Sequence, residues 1–105
     1  MNTLYEYDLY YPLTSESGDR SSAATFDNTK ERLTEFFGGL TDFRHRSEGS
    51  WKFGGVNYRD EIILLRMLGS ARKAAREFLG KLQAQLESSL NEQRILIIER
   101  EVQSL

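Results

Sequence analysis

Two short runs, Ile62–Leu65 (IILL) and Ile95–Ile98 (ILII), constrain this chain more than any other feature. Each is uninterrupted by a polar residue and rich in β-branched isoleucine, so each reads as a strand rather than a helix. At a period of two, both sides of such a strand are apolar. Ile63, Leu65 and Met67 fall on one side of the first, and Ile62, Leu64 and Leu68 on the other. Ile95 and Ile97 oppose Leu96 and Ile98 in the second. Strands of this kind need cover on both faces.

The rest of the pattern supplies the cover for one face. Leu4 to Leu13 alternates, with Tyr5, Tyr7, Leu9 and Tyr11 on one side, Leu4, Glu6, Asp8 and Tyr10 on the other, and Pro12 at its end. Residues 14–24 (TSESGDRSSAA) are small and polar and predict a flexible loop. Phe26, Leu33, Phe36 and Phe37 have helical spacing, which predicts a helix of about three turns. Thr25 or Asp27 is the expected N-cap, and Gly38-Gly39 the stop. Leu40 to Ser47 alternates again, placing Thr41, Phe43 and His45 opposite Asp42, Arg44 and Arg46. Glycine-rich points in EGS and FGG then predict a long or bulged hairpin into a third strand, Val56 to Leu68. Ser70 is the expected cap of a second helix reaching about Leu90, with Asn91 as its stop. Its apolar stripe is Ala71, Ala75, Phe78, Leu79, Leu82, Leu86 and Leu90. Gly80, inside that helix, reads as a point of close packing on the sheet. Arg94 to Val102 is the last strand.

Strand, helix, strand, strand, helix, strand is the order of an α+β fold, the ferredoxin-like βαββαβ sandwich. Its four-stranded antiparallel sheet has central first and third strands and two helices on one face, with right-handed crossovers. Residues 1–105 suffice for one domain of this kind and not for two.

The sheet face left open should be polar, yet half of it is apolar. A second copy of the chain is the expected cover, giving a homodimer through Ile62, Leu64, Leu96 and Ile98. The N-terminal loop or the tail beyond Val102 is the competing cover. Glu6 and Asp8 share that face with Arg66 and Arg100 from flanking strands, which predicts cross-strand ion pairs. The same groups make a polar cleft floor in a functional reading.

Composition limits the chemistry. The chain is 39% hydrophobic and 29% charged, as expected of an ordinary globular domain. Its net charge of −2 gives no field to attract nucleic acid. With no cysteine and one histidine, disulfides are excluded and neither a zinc site nor any other metal or cofactor is expected. No run is long enough to span a bilayer. The N-terminus, MNTLYEYDLYYPL, lacks a basic n-region, so no signal peptide and a cytoplasmic location are expected.

His45 is the one side chain expected to titrate near neutrality, and it is the first catalytic candidate. Its parity with Phe43 favours a strand residue over a base, and an orienting carboxylate would have to come from Glu48 or Asp60. Tyr7, Asp8 and Arg66 complete the catalytic candidates of a cleft, with His45 and Tyr7 on the parity that faces away from the open side. Arg72, Lys73 and Arg76 oppose the dipole at the start of the second helix, where a bound anion would be their functional explanation. Solvated surface charge is the bland one. Arg44, Arg46, Trp51, Lys52, Tyr58 and Arg59 make a basic, aromatic hairpin, but YRDEIILLRM lacks the aromatic pattern of RNA-binding sheets. Nucleic-acid binding is therefore the least favoured reading, and Trp51 reads as a packing anchor. Gly54-Gly55 matches no phosphate loop and reads as a turn.

GGLT (Gly38 to Thr41), the Gly49 and Trp51 of SEGSW, Glu61 in YRDEIILL, an alanine-rich helix and ILII together resemble small uncharacterised bacterial proteins of the domain-of-unknown-function type. That resemblance spans about residues 26–102, and it implies the fold and no activity. The strand order also resembles the dimeric α+β barrel proteins, whose paired sheets enclose a small-molecule cavity. The first expectation is therefore a non-enzymatic, self-associating protein that binds a protein partner or small ligand. A dimeric α+β-barrel enzyme or ligand-binding protein is the runner-up, and single-stranded RNA binding the third reading.

Overall fold

The computed structural model describes residues 2–13, 22–47, 50–53, 56–59, 62–90 and 94–105, with those from 44 to 59 described by their backbone only. The elements follow as β1 (Asn2–Pro12), α1 (Ala23–Phe37), β2 (Thr41–Ser47), β3 (Ser50–Phe53), β4 (Val56–Arg59), β5 (Ile62–Gly69), α2 (Arg72–Ser89) and β6 (Ile97–Ser104). The fold is α+β, with a four-stranded antiparallel sheet in the order β2-β5-β1-β6.

The expected third strand, Val56 to Leu68, is in fact two strands. β4 pairs with β3 in a separate two-stranded ribbon, Trp51 opposite Tyr58 and Phe53 opposite Val56. β5 alone joins the main sheet. The sequence holds its extended pattern through this region, and parity does not reveal where a ladder changes partner. Beside the ribbon the β2–β5 register is irregular. Four steps along β2, from Phe43 to Ser47, match only two along β5, from Leu64 to Ile62.

Register fixes the two faces. Tyr7 pairs with Met67 and Glu99, and Leu9 with Leu65 and Ile97. Tyr7, Leu9, Tyr11, Ile63, Leu65 and Met67 form the core with Leu33 of α1 and Ala75, Leu79, Leu82 and Leu86 of α2. Rings join the layers: Tyr7 meets Phe37 at 5.6 Å, Tyr11 meets Phe26 at 4.9 Å, and Phe36 stacks on Phe78 at 4.3 Å. α2 also grips the approach to β6, where Gln83 donates to the Ile95 carbonyl at 2.6 Å and the Ile95 N–H donates to Glu87 at 2.7 Å.

Both helix starts and one glycine's role differ from expectation. Ser22, not Thr25 or Asp27, caps α1, its hydroxyl accepting from the Thr25 N–H at 3.0 Å. The helix therefore begins inside the expected loop and runs to 15 residues. Gly38 does end it, at φ 82°, donating back to the Thr34 carbonyl. Ala71, not Ser70, occupies the α2 cap position, and no side chain hydrogen-bonds there. Gly80 is exposed, and a Cβ on it would meet nothing within 4 Å, so no close packing requires it. That role belongs to Gly69, where a Cβ would stand 3.3 Å from the Phe37 ring. Asn91 and the conformation of Gly54-Gly55 lie outside the described residues.

Candidate functional site: an ionic centre on the open sheet face

Alternation along β1 that buries Tyr7 and Leu9 beneath the helices turns Glu6, Asp8 and Tyr10 to the other face. Opposite Asp8 stands Arg66 on β5, and opposite Glu6 stands Arg100 on β6. Both guanidinium groups converge on one carboxylate. Arg66 donates to Asp8 through Nε (2.8 Å) and Nη2 (3.1 Å), a bidentate grip. Arg100 Nη1 donates to Asp8 Oδ2 at 2.6 Å and to Glu6 Oε1 at 3.1 Å. Arg66 Nε stands 3.2 Å from the same Glu6 oxygen. Asp8 is 1% exposed, whereas the arginine side chains remain 34% and 45% exposed.

Burial pushes the Asp8 carboxyl up, but hydrogen bonds and charge from Arg66 and Arg100 outweigh it, and the net direction is down. A carboxylate held anionic and occupied on both oxygens suits holding the strands together more than accepting a proton. Arg66 also lies 5.1 Å from the Phe43 ring centroid, a cation–π contact.

The four expected interface residues share this face. Leu64 and Ile98 are half-buried there, whereas Ile62 and Leu96 are already buried within the single chain, at 7% and 8% exposure. Residues 103 and 104 continue β6 and so do not fold over the face as a tail.

Tyr7 lies on the opposite face, apart from Asp8 and Arg66. A second cluster surrounds it, which the sequence reading missed. Arg76 of α2 grips Glu99 of β6 at 2.9 and 2.6 Å, and Arg72 stands 3.5 Å from the same carboxylate. Arg72 also lies over the Tyr5 ring at 5.2 Å. The hydrogen bond from Arg76 holds Glu99 below the usual carboxylate range. The buried Tyr7 hydroxyl faces Glu99 without a well-formed hydrogen bond. Burial and the neighbouring carboxylate push its pKa up to about 12. Two of the three anion-binding candidates, Arg72 and Arg76, thus meet an anion belonging to the chain itself. Lys73 is exposed. The parity of Glu99 was readable, but which face of α2 turns toward it was not.

The side chain of His45 lies outside the described residues, as do those of Arg44, Arg46, Trp51, Lys52, Tyr58 and Arg59, and Glu48, Asp60 and Glu61 entirely. Among the described residues, no cluster of three metal-ligating side chains occurs and no helix is long and apolar enough to cross a membrane. No family model, curated protein or solved structure matches the chain.

Proposed function

We propose that this chain is a small ferredoxin-like α+β protein that self-associates through its open sheet face and binds a protein partner or small ligand without catalysing a reaction. The sheet order supports the fold name: with the inserted ribbon set aside, the first and third strands are the central pair. A cytoplasmic setting and the likeness to small bacterial proteins of the domain-of-unknown-function type belong to the same proposal.

One observation carries the self-association. The open face presents half-buried Tyr10, Phe43, Leu64 and Ile98 and exposed Leu68 around a centre of two acids and two arginines. These charges cancel, so a second copy of the face meets no net repulsion, while the apolar area supplies about 25 cal/mol per Å² buried. Because Ile62 and Leu96 are already covered, Leu64 and Ile98 are the residues that a partner copy would bury. Sedimentation velocity over a concentration series tests this. The native chain should sediment as a dimer at micromolar concentration, and Leu64→Arg with Ile98→Arg as a monomer of unchanged helical signal. A native monomer under those conditions rejects the proposal.

A second reading draws on the same ionic centre. In a dimeric α+β-barrel arrangement, Arg66 and Arg100 would floor a cavity between paired sheets and hold an anionic ligand. A cavity of roughly several hundred Å³ in the assembled oligomer would favour it over a closely packed interface. RNA binding, the third reading, requires salt-sensitive association with single strands.

A further inference from the structure

The GGLT stretch, Gly38 to Thr41, carries one glycine more than the end of α1 requires. Gly38 is needed for its positive φ. Gly39 has neither a positive φ nor a neighbour that a Cβ would strike, and the space above both glycines is open. Both glycines line a cavity of about 290 Å³, open to solvent, with this loop along one side and the end of β5 along the other. Register places Thr41 directly opposite Arg66 at its edge. Leu68, 48% exposed and one of few large apolar side chains left so open among the described residues, lines it too.

The groups have a direction. Arg66 uses Nε and Nη2 on Asp8 and Glu6, and its side chain stays 34% exposed. Thr41 is exposed beside it. At the other end, Leu40 and Phe37 are apolar, and the C-terminus of α1 carries partial negative charge. An anionic head is therefore favoured only at the Arg66 end, with an apolar body toward Leu40 and Leu68. Glu6, Asp8, Arg66 and Arg100 sum to zero, so recognition comes from direct hydrogen bonds rather than from a long-range field.

We propose that this cavity binds a small amphiphilic carboxylate, with Arg66 and Thr41 on the carboxylate and Leu68 and Leu40 against its apolar body. The site deepens the small-ligand reading above. It needs no second copy, because every group belongs to one chain.

Octanoate titrated into the full chain and followed by amide chemical shifts tests it. Saturable shifts should be confined to Gly38–Thr41 and Arg66–Leu68. Leu68→Glu, exposed in the single chain though part of the proposed dimer face, should weaken binding about tenfold or more whichever oligomeric state sedimentation shows, and Thr41→Val should weaken it while keeping the fold. Three results would overturn the proposal: no saturable shift with octanoate, equal shifts with octan-1-ol or inorganic phosphate, or unchanged binding by Leu68→Glu. Sedimentation of the same samples reads the oligomeric state separately, so a monomer that binds octanoate rejects only the self-association.

Discussion

Asp8 and Tyr7 are neighbours in sequence with opposite electrostatic situations. Asp8 is a buried charge with its partners in place. Asp8→Asn should destabilise the fold by about 2–3 kcal/mol, because it leaves two guanidinium groups facing a neutral amide. The folded carboxyl titrates below its unfolded value, so its contribution is present above pH ~4 and is lost as pH falls through the folded pKa. Acid titrations of both proteins followed by circular dichroism check this, and the variant should show the shallower acid limb. Tyr7 has the reverse sign. Its folded pKa, about 12 against a usual 10.0, makes its contribution complete below pH 10 and lost as pH rises toward 12. Tyr7→Phe removes a poorly satisfied hydroxyl and should leave neutral-pH stability unchanged or raised by up to about 1 kcal/mol. It should also flatten the alkaline limb of a melting-temperature profile. The Asp8 cluster was legible in the sequence because strand parity fixes a face. The Tyr7 cluster was not, because it depends on how α2 is rotated about its axis.

At the scale of elements, the glycines separate three jobs that look alike in the sequence. Gly38→Ala should cost about 1 kcal/mol, since its φ of 82° disfavours any Cβ. Gly80→Ala should stabilise by about 1 kcal/mol, because this helical position is exposed and uncrowded. Gly69→Ala should destabilise, pressing on the Phe37 ring. Chemical denaturation of the three variants should give these signs, and a destabilised Gly80→Ala would contradict the open surroundings of that position. Helices and strands were legible from apolar spacing, and the left-handed stop at Gly38 from its residue type. Caps were read less well. Ser22 lies within a run of small polar residues where several could cap, and only the packing of Phe26 and Leu33 fixes where the helix starts. The inserted ribbon was missed because four-residue strands are too short to declare their partners by alternation.

Across the whole molecule, the pattern of apolar runs anticipated the sheet better than its edges. Runs apolar on both sides marked β5, a central strand, whose helix-covered face is core while on the open face Ile62 is buried, Leu64 half-buried and Leu68 exposed. They also drew attention to β6, which lies at an edge. Just before it, the demand on the open face is partly met within the chain at Leu96. The central position of β1 has a further consequence, in time rather than in space. Asp8 finds its partners 58 and 92 residues downstream, so β1 is made well before the strands it pairs with. At about 5–20 residues per second, the wait on a ribosome is on the order of seconds. Throughout it the tyrosine-rich segment LYEYDLYY has no sheet to join. Glu6 and Asp8, which later anchor the arginines, are at that stage the charges that discourage it from pairing with another nascent chain.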